Sequence, residues 1–205
     1  MSFEEYLRQN YDINEPIYVK EVEFENHSQS WVYDKIRSLT NVGILKRFAA
    51  GIYYFPKKIF CGYLKLDPDK VIQKKYISDG NVVYGYISGQ AFRNLVGLTA
   101  KYPTIIDVVS NNETAEVHDV RVGTKKVRAR KPRIEVTREN FNVLQLMDLF
   151  TTISLNYLGE TEQSILKRYI NSCGVTKNQV TQLKDFYPAD TSRNLFESGV
   201  LYEFL

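Results

Sequence analysis

Residues 28–56, SQSWVYDKIRSLTNVGILKRFAAGIYYFP, constrain the fold more than any other stretch of the chain. Between Ser30 and Val42 the apolar residues Val32, Ile36, Leu39 and Val42 recur at i, i+4, i+7 and i+10, one face of a helix. Ser28 or Ser30 can cap its start, because a hydroxyl accepts from the orphan N–H groups of a first turn. Gly43 stands where such a helix stops. Two short strands follow, 44–48 and 52–55, and the Ala49-Ala50-Gly51 connection closes them into a hairpin that Pro56 ends. Helix, glycine and basic hairpin in that order are the sequence pattern of a winged helix-turn-helix.

The opposite face of the helix carries Ser30, Tyr33, Asp34, Arg37 and Asn41, hydrogen-bonding groups that suit a DNA major groove. A solvated surface helix would look similar, so the charge around it matters. Residues 28–60 hold six basic side chains (Lys35, Arg37, Lys46, Arg47, Lys57 and Lys58) against Asp34 alone, a balance of +5. Residues 1–27 hold seven acids against two bases, a balance of −5. The first domain is therefore not basic as a whole, only on the side that holds the helix and hairpin. With Lys46 and Arg47 directly behind the helix, the pattern favours double-stranded DNA, with Lys57 and Lys58 as further phosphate contacts.

Phe3, Tyr6, Leu7 and Tyr11 are spaced for a first helix, and residues 18–22 read as a second. A winged helix-turn-helix domain is thus expected over residues 1–58. Residues 59–205 read as a mixed α+β domain with a helical C-terminal part, so the chain as a whole is α+β. Helices are expected at 68–76, from Ser88 to Gly97, at 143–153, 160–172, 177–186 and 191–198. Strands are expected at 82–87, 104–110 and 116–121, residues 125–136 alternate in part as a strand does, and a turn is expected at Asp79-Gly80-Asn81.

The motif Asn41-Val42-Gly43-Ile44-Leu45-Lys46-Arg47-Phe48-Ala49-Ala50-Gly51-Ile52-Tyr53-Tyr54 is similar to the wing of AbiEi-like proteins, the antitoxins and transcriptional regulators of type IV abortive-infection systems. The later segments Gly85-Tyr86-Ile87-Ser88-Gly89, Val96-Gly97-Leu98-Thr99 with Pro103, and residues 138–148 resemble that family in the same order, over about residues 1–155. The resemblance implies a winged helix bound to the operon's own promoter, double-stranded DNA with inverted repeats. It also implies a second domain that antagonises a nucleotidyltransferase-like toxin. The helical tail after Gly159 matches no motif of the family.

Nothing local points to catalysis. His27 and His118 stand alone, and no C-x-x-C, H-E-x-x-H, phosphate loop or nucleophile elbow occurs. No cofactor, metal site or enzymatic activity is therefore expected. Cys61 and Cys173 are far apart and read as packed free thiols. No apolar run approaches the roughly 20 residues that span a bilayer, and the acidic start does not resemble a signal peptide. A cytoplasmic protein without a membrane partner is the expectation.

Residues 121–138 are the other conspicuous stretch. Arg121, Lys125, Lys126, Arg128, Arg130, Lys131, Arg133 and Arg138 face only Glu135, a balance of +7. A solvated edge strand explains such charge, since Lys and Arg discourage edge pairing. The sharper alternatives are a second DNA-backbone contact and a surface for an acidic partner. The expected function is a non-enzymatic DNA-binding autoregulator and antitoxin. The alternatives are a winged-helix regulator whose second domain senses a ligand or partner unrelated to a toxin, and an enzyme or nuclease accessory domain.

Overall fold

A computed structural model describes residues 1–80, 82–153 and 158–201. The chain is mixed α+β and divides into two units, Met1–Lys74 and Lys75–Leu205.

In the first unit, helix α1 (Phe3–Asn10) begins at a reciprocal cap. Glu5 N donates to Ser2 Oγ at 3.2 Å, and Ser2 N donates to Glu5 Oε2 at 2.8 Å. Phe3 and Leu7 are buried, and the expected first helix is present. The expected second helix is not. Residues Ile17–Tyr18 form strand β1, and only a single 3-10 turn, Val19–Glu21, follows. The β-branched and aromatic run Ile17-Tyr18-Val19 fits a strand, and the extended segment Ile52–Tyr54 is there to receive its backbone.

Helix α2 (Gln29–Asn41) starts at Ser28, whose hydroxyl accepts from Trp31 N at 3.3 Å. Val32 and Ile36 face the core and Leu39 is half-buried, but Val42 is exposed, contrary to the periodicity. The helix ends at Asn41, and Ile44 N and Leu45 N both bond back to Leu39 O (3.0 and 3.2 Å). That turn carries Leu45 into the place the pattern assigns to Val42. Strands β2 (Lys46–Ala49) and β3 (Ile52–Tyr54) form the expected hairpin, and β1 joins its far side in the order β1-β3-β2. A second small hairpin, β4 (Lys58–Ile59) and β5 (Gly62–Tyr63), follows at once.

The first unit extends beyond residue 58. Helix α3 (Pro68–Ile72), capped by Asp67, buries Val71 and Ile72. Tyr18 Oη donates to Val71 O at 3.0 Å, and Lys70 Nζ to Asn14 O at 3.0 Å. Asn14 also takes Lys57 N on its side-chain oxygen, at 3.2 Å. These bonds tie residues 59–74 to the helix-and-hairpin unit. A π-helical turn, Gln73–Ile77, replaces the last part of the expected 68–76 helix.

The second unit opens with the short pair β6 (Ser78–Asp79) and β7 (Val82–Val83); Asn81, assigned to the turn between them, lies outside the described residues. Its main sheet contains β8 (Gly85–Ser88), β9 (Ile106–Ser110), β10 (His118–Val122) and β11 (Lys125–Arg130), in the order β10-β11-β9-β8. The β9–β11 pairing is parallel and the other two are antiparallel. The basic strand β11 is therefore an interior strand rather than an edge. Helix α4 (Gly89–Leu95) follows β8 directly. Helix α5 (Phe141–Thr152) is buried continuously from Val143 to Phe150. Helices α6 (Glu160–Cys173), α7 (Lys177–Leu183) and α8 (Ala189–Glu197) complete the unit, with α5 packed against β8, α4, α7 and α8.

Candidate functional site

The DNA-facing assignment rests on side chains that the first unit leaves in solvent. Because α2 turns Val32 and Ile36 inward, Ser30, Tyr33, Asp34, Arg37 and Asn41 all stand exposed on its other side. Arg37 makes no ion pair among the described residues, so its guanidinium is available to a ligand. Tyr33 reaches the hairpin turn: its Oη lies 3.9 Å from where a Cβ at Gly51 would stand. One surface of α2 and the β2–β3 turn are thereby adjacent.

On the hairpin, Arg47 is exposed and its Nε donates to Ala49 O at 3.3 Å. Lys46 is half-buried, with Nζ 5.3 Å from the centre of the Tyr63 ring on β5. This contact joins the two hairpins. Lys57 and Lys58 are exposed at the start of the second, and at its tip Phe60 is fully exposed, followed by the exposed Cys61. Cys61 is thus not packed, and Cys173 is half-buried; both are free thiols. Sequence reasoning misses the second hairpin. Its signal is the two short runs on either side of Phe60 and Cys61, closed by Gly62. At the start of α2, His27 stacks on Trp31 with ring centres 3.8 Å apart, which explains this isolated histidine as a packing residue.

In the second unit the cationic stretch divides. Val127 and Ala129 are buried while Lys126 and Arg128 are exposed, the alternation expected of a strand. Arg121, Lys125 and Lys126 line a shallow depression with Tyr102 and Thr104. Arg128, Arg130, Lys131 and Arg133 line a separate cleft of about 920 Å³. Arg128 makes a two-pronged ion pair with Asp119 (2.9 and 3.3 Å), which holds the Asp119 carboxyl below its ordinary range. Lys131 pairs with Glu116 at 2.6 Å. Arg130 points inward and pairs with Asp148, so it is committed to the fold rather than offered to a partner.

Asp148 is the hub of this region. It is buried on α5, and besides Arg130 its carboxylate accepts from Tyr86 Oη at 2.8 Å, with Ser88 Oγ at 3.4 Å. One turn earlier, buried Gln145 donates to Ile87 O at 2.6 Å and accepts from Tyr169 Oη at 2.8 Å. Polar residues inside an otherwise apolar run were the available signal for both. Across the cleft, burial pushes the Asp107 carboxyl up, against the pull of Arg128 and Arg130. A Cβ on Gly89 would stand 2.4 Å from Asp107 Oδ2, so only glycine admits this carboxylate so close to the start of α4.

No group of three or more His, Cys, Asp or Glu that could hold a metal ion occurs among the described residues. No helix among them is long and apolar enough to cross a membrane. Compared with known proteins, the chain matches no family model and no curated protein.

Proposed function

We propose that the chain is a DNA-binding transcriptional autoregulator and the antitoxin of a type IV, abortive-infection toxin–antitoxin system. In this reading residues 1–58 are a winged helix-turn-helix, α2 reads the major groove and the β2–β3 hairpin is the wing. The second unit antagonises a nucleotidyltransferase-like toxin without catalysis of its own, in the cytoplasm. The observation that carries the DNA half is the exposure of Ser30, Tyr33, Asp34, Arg37 and Asn41 beside the turn of the Arg47 hairpin. The antitoxin half rests on the ordered sequence resemblance alone.

The test is an electrophoretic shift with the protein's own upstream DNA across a salt series. Specific binding should appear and weaken steeply with salt, because phosphate contacts release counterions. Arg37→Ala should cost about 1–3 kcal/mol of specific affinity if the guanidinium contacts a base pairwise, with little change in thermal stability. Wild-type affinity in a combined Ser30→Ala/Tyr33→Ala/Arg37→Ala variant would remove the assignment of this face. Relief of a co-expressed cognate toxin by residues 75–205 would support the antitoxin half. A neighbouring reading frame unrelated to nucleotidyltransferases would shift the reading to a regulator whose second unit senses a ligand, which the 920 Å³ cleft favours.

A further inference from the structure

The cleft of the second unit holds more positive charge than the fold consumes. Its lining includes five cations (Arg93, Arg128, Arg130, Lys131 and Arg133) and three carboxylates (Asp107, Glu116 and Asp148). Asp148 and Glu116 are neutralised by Arg130 and Lys131. Burial already disfavours the charged form of Asp107. Arg128 is paired with Asp119, outside the lining. Arg93 and Arg133 remain, and neither has a carboxylate partner among the described residues. Arg93 on α4 spends one bond on Thr152 Oγ1, at 3.0 Å, and its Nε is buried with no partner there. Arg133 lies with its guanidinium carbon 5.2 Å from the centre of the Tyr187 ring, exposed to water on its other side. The buried Nε of Arg93 is a donor left without an acceptor, a cost that an arriving anion would relieve.

The same cleft has an aromatic wall. Phe186 lines it and is half exposed, whereas nearby Tyr187 is buried. Gln90 adds a neutral hydrogen-bonding group to the cleft lining. A volume of about 920 Å³ lies within the range of small-molecule sites, roughly 300–1,000 Å³.

We infer that this cleft is a binding site for a free nucleotide, with Arg93 and Arg133 receiving the phosphates and Phe186 stacking on the base. Guanidinium groups match phosphate oxygens in a planar, two-pronged geometry, and an exposed ring offers the flat apolar face that a base needs. The site does not depend on the DNA reading, since none of its residues lies on α2 or the β2–β3 hairpin.

Isothermal titration of the full chain with nucleoside mono- and triphosphates, and with pyrophosphate as the control, tests the inference. At least one nucleotide should bind in the micromolar range and raise the melting temperature. Arg133→Gln and Phe186→Ser change exposed side chains and should leave folding intact, as circular dichroism can verify. Arg133→Gln should weaken every phosphate ligand at least tenfold. Phe186→Ser should weaken nucleotides about tenfold but leave pyrophosphate unchanged. Arg37→Ala should leave nucleotide binding untouched, which separates this site from the DNA face. No binding of any nucleotide at millimolar concentration would overturn the inference. So would equal affinity for pyrophosphate and nucleotides, or binding that survives both cleft variants. Binding of short oligonucleotides without free nucleotides would also overturn it, and would give the cations to a nucleic-acid backbone.

Discussion

The Tyr33 hydroxyl stands 3.9 Å from the point a Cβ on Gly51 would occupy, so the exposed face of α2 and the tip of the β2–β3 hairpin form one surface. Gly51 has φ +72°, a left-handed backbone that β-branched residues resist. Its carbonyl also accepts from Val19 N at 3.0 Å, so the turn anchors the 3-10 segment. Gly51→Val should therefore cost about 1–3 kcal/mol of stability. Gly51→Asn, which tolerates this conformation, should cost much less. Urea unfolding of the two variants checks this, and equal losses would mean that crowding rather than backbone strain governs the position.

The two hairpins of the first unit make a separable prediction under the DNA reading. Arg47 and Lys58 are exposed, while Lys46 is shared with Tyr63. Replacing Lys46 and Arg47 with Ala should weaken binding to all sequences alike and reduce the salt slope by about one unit for each phosphate that is no longer neutralised. Lys57→Ala/Lys58→Ala should act in the same way if the second hairpin also touches the backbone. A salt slope unchanged in both pairs would exclude the hairpins from the interface.

Helix α2 is legible in the sequence because Val32 and Ile36 repeat at helical spacing and Ser28 and Gly43 bracket them. The strand at Ile17–Tyr18 is not, because Val19 and Val22 stand three apart, as on a helix, while Ile17 and Val19 stand two apart, as on a strand, and the run is too short to decide. What decides between them is the distant β3, which pairs Tyr18 with Ile52. Val42 misleads for a related reason: periodicity cannot locate the residue at which a helix stops one position short. The cleft is harder still. Arg93, Asp107, Arg128 and Asp148 come from α4, β9, β11 and α5, so no local motif announces their meeting. The basic run 121–138 is conspicuous in the sequence, yet only the fold divides it into a half-buried strut at Arg130, paired with Asp148, and more exposed cations around it.

That strut yields a prediction with an internal order. The Asp148 side chain is 4% exposed and that of Arg130 28%, so the carboxylate is the more deeply buried partner. Asp148→Asn keeps an acceptor for Tyr86 and leaves Arg130 able to reach water, and should cost about 3 kcal/mol, the low end for breaking a buried pair. Arg130→Met strands the buried carboxylate and should cost more. The double variant should lose less than the two single losses summed, because each removes the same interaction. Denaturant unfolding of the three variants tests this. A larger loss in Asp148→Asn than in Arg130→Met would reverse the assignment of the deeper charge.

Alkaline pH should unfold the second unit through its buried tyrosines. Burial, together with the neighbouring Asp148 carboxylate, holds the Tyr86 and Tyr187 hydroxyls well above the ordinary tyrosine range. Burial and Cys173 do the same for Tyr169. Below pH about 10 both folded and unfolded chains keep these protons, so stability does not depend on them. Above that pH the unfolded chain releases protons that the native state retains, and each tyrosine should remove about 1.4 kcal/mol of stability per pH unit. The loss should continue until the pH reaches the raised native values. Tyr187→Phe should make the alkaline slope shallower by one such increment. Tyr86→Phe should do so as well, while costing about 1.5–3 kcal/mol at neutral pH for its lost bond to the Asp148 carboxylate. Stability measured between pH 8 and 11, followed alongside tyrosinate absorbance, checks both. If every tyrosine of the native protein ionises together near pH 10, these hydroxyls are not buried in solution, and the packing assigned to Tyr86 and Tyr187 around α5 is wrong.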